Sequence, residues 1–248
     1  MKHNRLFSLF ISRYTHLIGV TVTSLLLIHT NLDAENLFYI RPAKTGSTSV
    51  ISLLKAEFPE ASFYEKTGVY LGNETSWKSA KKKLKKVPSI RDEDIVIGHF
   101  PFWFFLKKST KQQRKEAFWF ITMREPVERI LSHYRAKLRD HKALTQPWDI
   151  EPNGMCRILS SDPTLEGEAL LKNAIKNLNQ MNLVIFLDDF EWGIEKLCQA
   201  LGMTIPNQTP RQNPSPDLEF SNEVIRKIAE ANELDIQLYN YASGHCRG

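Results

Sequence analysis

The sequence predicts an α/β fold, a mainly parallel sheet flanked by helices on both faces. Two observations predict it. Short, nearly unbroken apolar runs occur at Leu37–Ile40, Asp94–Gly98, Ala117–Met123 and Leu183–Leu187, and such runs fit strands buried on both sides. Amphipathic stretches separate them, and buried strands alternating with helices build a sheet covered on both faces. Ligands of such sheets bind at the carboxyl ends of the strands. The residues that directly follow each apolar run are therefore where chemistry is expected.

Length and composition frame the problem. With 248 residues the chain can bury one sizeable core. Hydrophobic content of 42% and charged content of 25% are ordinary for a globular protein. The formal charge of +5 favours an anionic ligand or partner without naming one, and no nucleic-acid partner is expected. The 3 cysteines, Cys156, Cys198 and Cys246, are widely spaced. They form neither a disulfide framework nor a metal-ligand pattern, which fits a reducing compartment, although one bridge stays compatible with the count.

Residues 1–34 stand apart from a single domain expected over residues 35–248. Lys2, His3 and Arg5 precede an apolar run, Leu17–Ile28, interrupted by Gly19, Thr21, Thr23 and Ser24. The basic start and apolar middle suit a secretory leader or signal anchor. The run falls short of the ~20 apolar residues of a transmembrane helix, and a helix packed on the domain explains it as well. A cytoplasmic location, with membrane contact through this segment as an option, is the expectation; a Golgi-type membrane protein is the alternative.

Asn36–Lys55 organises the rest of the chain. The strand Leu37–Ile40 leads into a turn bracketed by Pro42 and Gly46, and Val50, Ile51, Leu53 and Leu54 then fall at helical spacing. The loop carries Lys44, Thr45, Gly46, Ser47, Thr48 and Ser49. Backbone N–H groups at a helix start, small hydroxyls and one lysine suit a phosphate or sulfate ester. A helix simply capped by Ser47 or Thr48 leaves the rest of that run unexplained.

Farther on, Ser76–Val87 places Trp77, Ala80, Leu84 and Val87 on one helical face and its lysines mostly elsewhere. Such a face is usually solvated; a surface for a polyanionic acceptor or an acidic membrane is the sharper reading. The second strand, Asp94–Gly98, ends in Gly98-His99. The aromatics of Phe100–Leu106 are expected in the core, with sugar stacking as the alternative. The third strand, Ala117–Met123, runs into Arg124-Glu125-Pro126 and a helix from Val127 to about Leu138, since proline favours the first helical position. Arg124 and Ser132 combine a cationic fork with a hydroxyl, which suits a second phosphate. Arg139–Pro163 reads as loop-rich, Glu168–Leu178 and Phe190–Leu201 as helices, Ile205–Pro216 as irregular, and Asn222–Tyr241 as one last helix.

A Walker-type ATP loop ends in Gly-Lys-Ser/Thr, but here the lysine precedes the glycine. Arg41-Pro42-Ala43-Lys44-Thr45-Gly46-Ser47-Thr48-Ser49 instead resembles the 5′-phosphosulfate loop, Pro-x-Lys-Thr-x-Ser-Thr-Ser, of carbohydrate sulfotransferases that use 3′-phosphoadenylyl sulfate (PAPS). Met123-Arg124-Glu125-Pro126-Val127-Glu128-Arg129, followed by Ser132-His133-Tyr134, is similar to their 3′-phosphate motif. Gly98-His99 sits where the heparan sulfate 2-O-sulfotransferase-like branch carries its base.

The resemblance covers most of residues 36–241. It implies a P-loop-like three-layer sandwich, PAPS as co-substrate, no metal, and a glycan or other hydroxyl-bearing acceptor. It implies His99 as base and Lys44 at the leaving phosphate. Lys44, Thr45, Gly46, Ser47, Thr48 and Ser49 would hold the phosphosulfate, Arg124 and Ser132 the 3′-phosphate, and Arg41 would lie near the acceptor. Arg211 and Asn213 fall where relatives close over the nucleotide. His133 is expected to be structural, and Arg129 to orient Glu125 or Glu128 or to lie on the surface. A sulfuryl group carries less charge than a phosphoryl group, so a magnesium clamp is less necessary; of acidic residues after strands, Asp188 and Asp189 alone would suit one. Two other classes of function compete: a nucleotide-dependent phosphotransferase with a variant P-loop, and a non-catalytic anion-binding module.

Overall fold

The computed structural model describes residues 36–65, 76–140, 146–206 and 218–247. The segment 1–34, with Arg211 and Asn213, lies outside the described residues. The strands are β1 (Leu37–Ile40), β2 (Phe63–Tyr64), β3 (Ile95–Val96), β4 (Phe118–Met123) and β5 (Leu183–Phe186). Among the described residues they form one sheet in the order β2-β3-β1-β4-β5, with every pairing parallel. Leu37 to Ile40 run in register with Phe118 to Ile121, so β4 extends two residues, Thr122 and Met123, past the end of β1 at the carboxyl edge.

Side chains alternate across this sheet with period two, and each face has its own core. On one face Phe38, Ile40, Val96, Trp119, Ile121, Met123, Val184 and Phe186 are buried. They lie under α2 (Trp77–Leu84), α3 (Phe102–Lys108), α6 (Gly154–Leu159), α7 (Gly167–Leu178) and α10 (Glu233–His245). On the other face Leu37, Tyr39, Ile95, Phe120 and Ile185 pack against α1 (Ser47–Glu57) and α8 (Phe190–Leu201). A smaller cluster, Ile130, Leu131, Ile150 and Ile228, joins α5 (Pro126–Arg139) to α9 (Asn222–Ala231). The short α4 (Lys111–Glu116) opens with a capping box between Thr110 and Gln113. Among the described residues no helix is long and apolar enough to cross a membrane.

The aromatics Phe100, Phe102, Trp103, Phe104 and Phe105 are core, as expected. Three elements differ from the sequence reading. β2 was not expected: it is two residues long in a polar stretch and only half-buried. Arg139–Pro163 is less irregular than its prolines suggest, since it contains a 3-10 turn at Pro147–Asp149 and α6. The expected single helix over Asn222–Tyr241 is two helices, broken at Asn232. There the buried Asn232 side chain accepts from the Asn153 N–H at 3.1 Å, while the Asn153 side chain accepts from the N–H groups of Leu234 and Asp235 at 3.0 and 3.2 Å. This reciprocal clasp supplies the start of α10 with the acceptors that a new helix needs.

Candidate active site

Three strands deliver the predicted groups to one edge. The Lys44 loop follows β1, Gly98-His99 follows β3, and Arg124 follows β4. Gly98 is required by crowding: a Cβ there would lie 2.7 Å from the Glu65 carbonyl oxygen, at the end of β2. Only hydrogen fits, and the close approach turns His99 back over β1.

The loop is not a capped helix start. Gly46, at φ 79°, occupies the N-cap of α1 with no side-chain cap. A Cβ on it would lie 2.7 Å from the Leu187 side chain. Lys44 shares the left-handed region at φ 68°, an uncommon conformation for a residue with a Cβ. The hydroxyls are divided between two tasks. Thr45 is fully buried and donates to the Pro42 carbonyl at 2.9 Å, so it can only accept from Thr122, 2.6 Å away. Thr122 in turn accepts from the Tyr39 phenol at 2.7 Å. Tyr39, Thr122 and Thr45 thus form a directed, buried hydrogen-bond chain beneath the loop, and burial pushes the Tyr39 phenol up so that it stays protonated. The Thr45 hydroxyl therefore shapes the loop from below, which leaves its backbone as its contribution to an anion. Ser47 is buried and accepts from Arg41 Nε at 2.9 Å, whereas Thr48 is exposed and Ser49 is buried.

The charges are unbalanced. Burial, then the nearby Arg139 and Arg124, holds the Lys44 ammonium below its ordinary pKa. Among the described residues Lys44 makes no ion pair. Arg124 is half-buried, with its guanidinium 3.3 Å from Glu128, and Arg139 lies 3.2 Å from Asp140. A desolvated lysine that feels two arginine charges, ahead of a helix start, is an arrangement suited to an anion. Arg139 was not anticipated, because it enters from the far end of α5. Ser132 is buried on the same helix.

His99 is oriented by a single bond. Its Nδ1 lies 2.9 Å from the Arg41 carbonyl oxygen. A carbonyl only accepts, so the proton of the neutral ring is on Nδ1 and Nε2 carries the lone pair. Burial, then the Arg41 charge, pushes the imidazole below its ordinary value. The ring is therefore neutral at neutral pH.

Arg129 departs from its expected place. It is 1% exposed and bridges Glu151 at 3.6 Å and Asp235 at 3.5 Å; among the described residues its guanidinium pairs with neither Glu125 nor Glu128. Glu125 caps α5 instead, accepting from the Glu128 N–H at 2.8 Å. Among the described residues the buried Nδ1 of His133 has no hydrogen-bond partner, and burial pushes the ring below its ordinary pKa. Of the acids after β5, Asp188 is engaged by Arg247 and by the Tyr239 hydroxyl.

Residues 31–242 match the sulfotransferase family. Comparison with curated proteins found no match. Among solved structures the chain is similar to a sulfotransferase from Alicyclobacillus acidocaldarius, with 17% identity and a TM-score of 0.42 over 82% of this chain and 96% of that one. It is also similar to the mouse sulfotransferase SULT7A1, solved in complex with PAP, with 15% identity and a TM-score of 0.42 over 83% of this chain and 67% of that one. The family match spans nearly the whole described sheet and its loops, and the chain belongs to the sulfotransferase family.

Proposed function

We propose that this sulfotransferase moves the sulfuryl group of PAPS to a hydroxyl of a carbohydrate acceptor. The observation that carries the reading is the His99 bond to the Arg41 carbonyl, which leaves Nε2 free as a base on the same edge as the anion loop. Lys44, with backbone N–H groups of Thr45 to Ser49, suits the phosphosulfate end; Arg124 and Ser132 suit the 3′-phosphate. Lys44 would stabilise charge developing on the leaving phosphate oxygen. His99 Nε2 would take the acceptor proton. Arg41, whose backbone holds His99, would lie near the acceptor. The carbohydrate acceptor is supported by the motif order, which resembles the carbohydrate branch.

The test is incubation with labelled PAPS and a panel of glycans, with identification of the sulfated product. Transfer that is lost in His99→Ala supports the reading. Magnesium-dependent ATP turnover, with no binding of 3′,5′-ADP, would replace it by a phosphotransferase.

A further inference from the structure

One oxygen of the Glu128 carboxylate serves two arginines. Its Oε2 lies 3.3 Å from Arg124 Nη2 and 3.9 Å from Arg135 Nη1. Arg124 follows the end of β4, Glu128 sits in the first turn of α5, and Arg135 lies about two turns further along that helix. Glu128, Ser132 and Arg135 recur at helical spacing and share one face of α5. Ser132 is buried on that face. The stripe thus begins at Arg124, passes a hydroxyl and reaches a second guanidinium, with the carboxylate between the two cations.

Arg135 is held in place by other elements. Its Nη2 donates to the Leu218 carbonyl at 2.9 Å, and its guanidinium lies 5.2 Å from the centre of the Phe220 ring. Tyr134 braces that ring edge-on, with 5.9 Å between centroids. Among the described residues the buried Nε of Arg135 has no hydrogen-bond partner, so its pairing with Glu128 leaves a donor unspent. The two cations are set back from solvent, with side chains 24% and 16% exposed, whereas Glu128 is 51% exposed. At 3.9 Å the Arg135 contact is an ion pair without a hydrogen bond. Such exposed pairs contribute little, so the carboxylate is easily displaced. A phosphate monoester brings more charge and three acceptor oxygens to the same two forks.

We propose that Glu128 is a built-in stand-in for the 3′-phosphate of the donor, displaced when the nucleotide binds, and that Arg135 is the second cation of that seat. This rests on the PAPS reading above, with Arg124 and Ser132 at the 3′-phosphate. Two guanidiniums repel one another unless an anion lies between them, and in this structure that anion is Glu128. Once a phosphate takes its place, the carboxylate is a like charge beside it and turns out to the solvent it already faces. Glu128 therefore sets nucleotide affinity downward. The product 3′,5′-ADP keeps the same 3′-phosphate, so a carboxylate competing for both arginines also speeds its departure.

The experiment is calorimetric titration of the full chain with 3′,5′-ADP and with 5′-AMP, which differ only in the 3′-phosphate. Glu128→Gln removes the competing charge, and 3′,5′-ADP should bind about threefold more tightly with 5′-AMP unchanged. Arg135→Gln should bind 3′,5′-ADP about tenfold more weakly, again with 5′-AMP unchanged. The sign of the first result separates this role from a structural one. Loss of an acidic residue from the first turn weakens a helix, and a loosened α5 would bind 3′,5′-ADP less well. Unchanged or weaker 3′,5′-ADP binding in a folded Glu128→Gln protein overturns the proposal, as does an equal loss of both nucleotides in Arg135→Gln; if Glu128→Gln does not fold, the Arg135→Gln arm decides. An unmodified protein that binds neither nucleotide defeats the PAPS reading itself. An unmodified protein that binds 3′,5′-ADP, with no gain in Glu128→Gln, defeats this inference alone.

Discussion

Thr45 and Thr122 share a hydrogen bond of 2.6 Å between hydroxyls 77 positions apart in sequence. One belongs to the anion loop and the other to β4, so the loop is tied to the strand that ends in Arg124. Replacing Thr122 by the isosteric Val removes that link and takes the Thr122 acceptor from the buried Tyr39 phenol, while Thr45 keeps its bond to the Pro42 carbonyl. An unsatisfied buried polar group costs about 1–3 kcal/mol. Urea unfolding of Thr122→Val should show a loss of that order, and KM for PAPS should rise more than kcat falls, because the loop loses its support while His99 is untouched.

The pH behaviour follows from His99 and His133. Both are held below the ordinary 6.5, first by burial. The unfolded chain therefore binds protons that the folded chain does not, at pH values between the lowered pKa and 6.5. Stability is full above that window and is lost as pH falls through it. Thermal melts should show Tm decreasing below about pH 6.5, and His133→Asn should flatten that decline. The acid limb of kcat/KM should have its midpoint below 6.5, the side on which the neutral ring persists. His99→Ala should reduce kcat by about 10²–10⁴-fold while leaving 3′,5′-ADP binding intact.

Lys44 separates function from stability. Its ammonium is desolvated and flanked by Arg139 and Arg124. Lys44→Ala should lower kcat by about 10²–10³-fold, the usual cost of removing a group that stabilises a developing anion. The same variant should melt no lower than the unmodified protein, because a repelled charge is gone. Addition of 3′,5′-ADP should raise Tm in the unmodified protein and raise it less in Lys44→Ala, as differential scanning fluorimetry can show.

Arg129 and Asp235 form a buried pair whose members cannot be removed singly. Arg129→Met leaves Asp235 as an uncompensated buried carboxylate, which costs about 3–5 kcal/mol. Burial already pushes the Asp235 carboxyl up, against the pull of Arg129. Without Arg129 the folded state gains further affinity for a proton at Asp235, so the deficit should shrink as pH is lowered. Denaturation of Arg129→Met at pH 8 and at pH 5 checks the sign, with the larger deficit at pH 8.

How much of this was readable in advance depended on whether a feature is contiguous. The strand at Leu37–Ile40 and its loop lie in one run of residues, so apolar pattern, hydroxyls and lysine declared themselves together. The helix Phe190–Leu201 was readable because Gly202 ends it in the left-handed conformation. The break at Asn232 was hidden, since Ile228 and Leu238 on either side continue a plausible apolar stripe; a side chain arriving from Asn153 makes the break. Arg129 stood in the expected motif, but its partners Glu151 and Asp235 come from other elements. Glu151 carries no local signal: nothing near it in sequence announces its left-handed backbone or its pairing with Arg129.

The clasp between Asn153 and Asn232 also sets an order of manufacture. A ribosome releases β1 and its loop first, β4 with Arg124 next, and β5 later. Arg129 gains Asp235 only when the last helix has emerged and its first turn has been capped by Asn153. Until then the Arg129 charge lacks its fully buried partner. Docking of the final helix is thus the event that gives the buried Arg129 guanidinium its Asp235 partner.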